Sequence, residues 1–187
     1  MHVSTTPLQG GVFALLRWIL LLVVAFAILA GAMIWLFDFT PAATPSVAIP
    51  PTADFRLASL AGGRTGPPDF AGEVVVVDFW ATWCTPCRLQ AIYLEQVREH
   101  FAGQGVRFLA VATGEDEATV RRYVERTPFP YPVLLDSTSD VSRRYQILGL
   151  PTVMIVDRQG RISSMRTGIS DPATLREAIL RAGAGEV

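Results

Sequence analysis

Cys84 and Cys87 are the only thiols in a chain of 187 residues, and two residues separate them. Sulfurs one helical turn apart can close on each other, so this pair can pass two electrons by thiol–disulfide exchange. Cys84-Thr85-Pro86-Cys87 falls where an apolar run, Val74 to Phe79, gives way to a helical pattern. A helix N-terminus presents free N–H groups and the positive end of its dipole, both of which stabilise a thiolate. In such motifs a thiol pKa drops from ~8.5 to about 3.5–7.5. Cys84 is therefore the expected nucleophile, and Cys87 the thiol that resolves the mixed disulfide and leaves the pair oxidised. The competing readings are an inert structural disulfide or half of a shared metal site. A disulfide that closes so short a loop stabilises a fold little.

The other reactive side chains narrow the chemistry. All sixteen basic residues are Arg, against seventeen acids and a net charge of −1. No lysine can form a Schiff base or cradle a phosphate, and nothing suggests the positive field of a nucleic-acid binder. The two histidines, His2 and His100, make a poor zinc set with the cysteines because His2 precedes a long apolar segment. Neither a metal nor a cofactor is expected. Asp78 ends an apolar run six residues before Cys84, where a charge is costly without a role or a partner. Trp83 adjoins the dithiol as a flat apolar surface, whereas Trp80 suits either core or rim. Arg88 suits either a thiolate-stabilising charge or a surface position. Glu115 and Asp116 read as solvated loop acids, and Arg121-Arg122 and Arg143-Arg144 as solvated faces.

The elements that must hold these groups follow from periodicity. Phe55 to Leu60 alternates as a short strand, and Val74 to Phe79 is the continuous β-branched run of a strand buried on both faces. Leu89, Ile92, Tyr93, Gln96 and Val97 recur at helical spacing up to Phe101, and Gly103 and Gly105 stop that helix. A second buried strand spans Val106 to Ala112, a helix Ala118 to Arg126, and a short strand Tyr131 to Leu135. Ser139 or Asp140 is positioned to cap a helix through Arg144. Val153 to Val156 and Arg161 to Arg166 form a hairpin about Asp157-Arg158-Gln159-Gly160. Pro172 then opens a last helix that runs to Ala182. Strands alternating with helices, closed by a hairpin and a helix, imply an α/β sandwich with a mixed sheet.

Ahead of this domain, Trp18 to Phe37 is twenty residues without a charge, and all but Gly31 are apolar. At ~1.5 Å per residue such a helix spans about 30 Å, enough to cross a bilayer. The run exceeds the ~7–15 apolar residues of a cleaved signal peptide, so an uncleaved anchor is expected. Arg17 before the span, and Asp38 and Asp54 after it, place residues 1–17 in the cytoplasm and the C-terminal domain in a periplasmic or other extracytoplasmic space. Residues 38–52 are rich in Pro and small residues and read as a semi-stiff linker. The folded domain is expected over 53–187.

The segment VVVVDFWATWCTPCR, Val74 to Arg88, resembles the thioredoxin superfamily, and the preceding anchor is similar to its membrane-tethered TlpA, ResA and CcmG-like thiol:disulfide oxidoreductases. The resemblance covers about residues 53–182. It implies a thioredoxin-like three-layer α/β/α sandwich preceded by one transmembrane helix, and dithiol exchange with protein substrates. It implies that Gly149-Leu150-Pro151-Thr152 carries a cis-proline facing Cys84. Leu150 would then offer main-chain hydrogen bonds to an extended substrate, beside Trp83 and Pro86. It implies that Asp78 relays the proton of Cys87. The sequence departs from the pattern in having no lysine to pair with Asp78, and in having Gln90 where ResA-like proteins have Glu. The implied work is reduction of cytochrome c haem-site or respiratory copper-site cysteines, with electrons from a membrane donor of DsbD or CcdA type. The alternatives are a metallochaperone holding Cu(I) on the two thiolates and a peroxiredoxin-like peroxidase.

Overall fold

The computed structural model describes residues 9–36 and 51–185, with side chains of the first stretch described from 16 to 32. Two compact units divide the chain, Met1–Val47 and Ala48–Val187. Among its described residues the first contains the helix α1 (Gln9–Leu36), whose large apolar side chains, Leu20, Leu22 and Phe26 among them, are exposed. The expected membrane span falls on α1, and Phe37 lies outside the described residues, as does the linker from 38 to 50. Among the described residues no helix is long and apolar enough to cross a membrane.

The second unit is built on one seven-stranded mixed sheet. Its strands are β1 (Leu57–Ser59), β2 (Arg64–Thr65), β3 (Val74–Trp80), β4 (Val106–Thr113), β5 (Val133–Asp136), β6 (Thr152–Val156) and β7 (Ile162–Thr167), in the order β2-β1-β5-β4-β3-β6-β7. The β3, β4 and β5 pairs are parallel, and β6 and β7 are added antiparallel beside β3. All seven residues of β3 are buried, Asp78 among them, as its nearly continuous apolar run predicts for a central strand. Two short features escaped the sequence pattern. One is β2, and the other is a 3-10 turn at Pro67–Phe70. Before that turn Gly66 packs so closely that a Cβ would stand 1.8 Å from the carbonyl oxygen of Phe55, so any side chain there would force the backbone apart.

The pleat sorts the side chains into two cores. Val74, Val76, Trp80, Ala110, Ala112, Val133 and Ile155 face α2 (Thr85–His100), α3 (Glu117–Arg126) and α5 (Pro172–Arg181), which contribute Leu94, Val97, Val120, Leu175 and Ile179. Val75, Val77, Phe79, Leu109, Val111, Leu134 and Met154 face the other way. They meet Phe55, Tyr145 and Val141 of α4 (Asp140–Arg144). The three-layer α/β/α arrangement is thus observed. Trp80 is resolved as core, stacked on Tyr123 and Phe129 with ring centroids 5.2 and 4.6 Å away.

One expected cap is replaced. Ser139 adopts φ 57°, ψ 25° and caps nothing through its side chain. The buried Asp136 carboxylate instead accepts from the N–H groups of Val141 and Ser142, at 3.1 and 2.8 Å, and from the Ser142 hydroxyl. Its position at the end of β5 is what brings a carboxylate to the start of α4, a relation that local sequence does not reveal.

Candidate active site

The C-terminal end of β3 organises the site. After Trp80 the chain turns through Ala81-Thr82-Trp83 and enters α2, with Cys84 as N-cap in an extended conformation and Pro86 in the first turn. Cys84 and Cys87 are joined by a disulfide with Cα atoms 5.3 Å apart. Both are buried, whereas Trp83 between strand and dithiol is 70% exposed and Pro86 is exposed. The Cys84 N–H donates to the Ala81 carbonyl and the Cys87 N–H to the Cys84 carbonyl, which holds both sulfurs in the first turn of the helix.

Pro151 reaches the same edge from the neighbouring strand. Thr152 pairs with Phe79, so Pro151 lies one residue beyond it, at the level where the segment leading to Cys84 leaves the sheet. The Leu150-Pro151 peptide bond is cis. The Pro151 carbonyl accepts from the Gly168 N–H, and the Thr152 hydroxyl donates to the Gly149 carbonyl and meets the Thr167 hydroxyl. Neither the N–H nor the C=O of Leu150 has a backbone partner among the described residues, so both are available to a bound chain. Leu148, 90% exposed, precedes this loop, and Ile169, 47% exposed, follows Gly168, whose N–H holds the Pro151 carbonyl. Sequence reasoning missed both, because an isolated exposed Leu or Ile carries no periodic signal.

Asp78 lies behind the dithiol. Its place in β3 puts it on the same face as Val76 and Trp80, under α2, opposite Ala110 and Val153. It is 1% exposed, and neither carboxylate oxygen has a hydrogen-bond partner among the described residues. Burial without compensation penalises the charged form and pushes its pKa from the ordinary 3.8 up to about 7. On this same face the Tyr131 phenol is also buried and unpartnered, and its pKa is driven up first by burial and then by the charge of Asp78.

Two polar side chains brace the site in ways the sequence did not disclose. Gln90 is fully buried and clamps both main-chain groups of Ser170: its Oε1 accepts from the N–H at 2.7 Å, and its Nε2 donates to the C=O at 3.3 Å. Since Gly168, two residues earlier, holds Pro151, the clamp ties the dithiol helix to the proline loop. Glu115 is not a solvated loop acid. It accepts from the Thr82 N–H at 2.7 Å and from the Thr82 hydroxyl at 2.5 Å, fixing the turn two residues before Cys84 from the far end of β4. Asp116 behaves as a local cap, accepting from the Thr119 N–H at the start of α3. Arg88 is exposed on α2. Among the described residues, no group of three or more His, Cys, Asp or Glu side chains could hold a metal ion.

A redox disulfide capping a helix at the end of a central strand, on a thioredoxin-like mixed sheet, defines a thiol:disulfide oxidoreductase. The chain belongs to the AhpC/TSA family, whose sequence model matches residues 50–165. Among curated relatives it is 34% identical over 124 residues to the thiol-disulfide oxidoreductase ResA of Geobacillus thermodenitrificans, covering 66% of this chain and 71% of that one. To ResA of Bacillus subtilis it is 32% identical over 115 residues, 62% of this chain and 64% of the relative. Among solved structures, a thioredoxin-family thiol:disulfide interchange protein from Chlorobium tepidum superposes with a TM-score of 0.62 at 27% identity. The match covers 71% of this chain and 94% of that one. StoA from Bacillus subtilis, 20% identical with a TM-score of 0.60 over 70% and 98% of the two chains, shares the fold.

Proposed function

We propose that this oxidoreductase is a reductant of protein disulfides, held at the outer face of the cytoplasmic membrane by residues 18–37 through a linker at 38–52, with the domain of residues 53–187 extracytoplasmic. The observation that carries the reading is the convergence, at one edge of the sheet, of the Cys84–Cys87 pair, the cis-Pro151 loop with free Leu150 main-chain groups, and a protonatable Asp78 beneath α2.

In the reduced protein the Cys84 thiolate attacks one sulfur of a partner disulfide. A Cys84–partner disulfide forms, the partner's S–S bond breaks, and the departing sulfur leaves as a thiolate that takes up a proton. The partner strand lies along Leu150, with Trp83, Pro86 and Pro151 against it. Cys87 then gives its proton to the Asp78 carboxylate and attacks the Cys84 sulfur. The Cys84–Cys87 disulfide closes and the partner's second sulfur leaves. Two electrons have moved to the partner, and the enzyme stands in the oxidised form seen here. An Asp with a pKa of about 7 can both accept and return that proton near neutrality. A membrane dithiol donor of the DsbD or CcdA type restores the thiols. The resemblance of Val74–Arg88 to the membrane-tethered thiol:disulfide oxidoreductases points to cytochrome c haem-site or respiratory copper-site cysteines as the substrates.

The test is the reduction potential of the dithiol and single-turnover reduction of a protein disulfide, measured for wild type and Cys84→Ser. Loss of exchange in the variant and a potential low enough to reduce the substrate are expected. A wild-type protein without redox activity that binds one Cu(I) tightly would establish the metallochaperone instead. Rapid turnover of hydroperoxide would establish a peroxidase. A reporter fused after Val187 should be active outside the cytoplasm, and a cytoplasmic signal reverses the proposed orientation.

A further inference from the structure

On the side of the dithiol away from Pro151, a groove of about 760 Å³ opens between α2 and α3, with Cys87 in its wall. Its apolar surface comes from Tyr123, Phe129 and Ile92, the last 54% exposed on α2, above the buried Trp80. Its rim carries the exposed guanidinium groups of Arg88, Arg122 and Arg126, against a single carboxylate in the lining, Glu95. Arg56, Arg107, Arg121, Arg143, Arg161 and Arg181 each pair with an acid, whereas the other arginines of the domain form no ion pair among the described residues; three of these unpaired arginines gather at this one rim. None of the three rim arginines forms an ion pair among the described residues. Arg122 donates to the Thr119 hydroxyl and lies in the field of Asp116, which caps α3. An aromatic floor beneath a rim of three arginines and one carboxylate is complementary to an apolar side chain flanked by carboxylates.

We propose that this groove is a second docking site for the disulfide-bearing protein, which engages an acidic segment with an aromatic anchor next to the partner's cysteines. The proposal rests on reading the dithiol as a disulfide reductant and adds the chemical character of its substrate. While the Leu150–Pro151 edge takes the partner's main chain without regard to sequence, the groove reads the side chains of the flanking segment. The aromatic anchor seats over Tyr123 and Phe129, and the carboxylates meet Arg122 and Arg126. Rim charges act mainly on encounter, so their effect belongs in the association rate and its salt dependence.

The probes are two synthetic peptides, each closed by one disulfide, carrying Phe-Glu-Glu on both flanks in one and Phe-Gln-Gln in the other. Pre-reduced full-length protein in non-ionic detergent is mixed with each under single-turnover conditions and quenched with acid. Hydroxyethyl disulfide serves as a small neutral substrate. Wild type should reduce the acidic peptide about five- to tenfold faster than its Gln twin, the size expected of two exposed charge pairs. The preference should shrink as salt rises. Arg122→Gln with Arg126→Gln should remove it while leaving hydroxyethyl disulfide reduction unchanged. Equal rates for the two peptides with wild type, or a preference that survives in the double variant, overturn the proposal. A wild-type protein that cannot reduce even hydroxyethyl disulfide instead refutes the reductant reading, and the docking proposal falls with it.

Discussion

Replacing Asp78 with Asn should flatten the dependence of stability on pH between about pH 4.5 and 8. The carboxyl is 1% exposed, lacks a hydrogen-bond partner among the described residues, and has its pKa raised from 3.8 to about 7 by burial. Between those values the folded protein holds a proton that the unfolded chain has released, so stability falls as pH rises. The stability is fully present below the unfolded pKa and is lost by the time pH passes about 7. At roughly 1.4 kcal/mol per pH unit, the gap is worth about 4 kcal/mol in all, of which about 3 kcal/mol is lost between pH 4.5 and pH 8. Asp78→Asn cannot ionise and should lose none of it. The assay is urea unfolding of the oxidised full-length chain in non-ionic detergent, for wild type and variant across that range. Asp69, Asp116, Asp140, Asp157 and Asp171 have pKa values held below the ordinary one by hydrogen bonds and nearby Arg groups. They titrate below this window and equally in both proteins. The difference between the two curves therefore isolates position 78. Curves that stay parallel to within about 1 kcal/mol from pH 4.5 to 8 would show that Asp78 is solvated or paired, and the proton-acceptor role would fail with its cause.

Other substitutions test the remaining parts of the site. Cys87→Ala should accumulate a mixed disulfide between Cys84 and the peptide substrate, visible as a mass increase removed by dithiothreitol; release without accumulation would contradict the assigned order of attack. Glu115→Gln keeps the shape but weakens two hydrogen bonds to Thr82, so it should lower stability by about 1–2 kcal/mol and shift the dithiol's reduction potential by perturbing the turn before Cys84. A potential identical to wild type would confine Glu115 to a structural role. Gln90→Ala leaves both main-chain groups of Ser170 unpaired in a buried setting and opens a cavity, which should cost about 2–4 kcal/mol in urea unfolding. A smaller loss, under about 1 kcal/mol, would mean that the Ser170 loop relaxes onto water.

Much of this protein was legible along the chain because the relevant signals are local. The β-branched run at 74–79, the helical spacing after Cys87 and the Pro at the start of the last helix depend on neighbours a few residues away, and each element appears where expected. The two-residue spacing of the only cysteines already favours one redox couple over an inert disulfide or a shared metal site. Proximity across the sheet was not legible. Glu115 lies 33 residues from Thr82 and Ser170 lies 80 from Gln90, yet each pair shares hydrogen bonds. The Asp136 cap and the groove of Arg122 and Arg126 beside Cys87 likewise exist only once β3, β4 and β5 lie parallel with α2 and α3 above them. Periodicity reports which face of an element is apolar. Which polar groups meet, and whether a charge such as Asp78 finds a partner, is decided by strand order and register, to which distant parts of the chain contribute together.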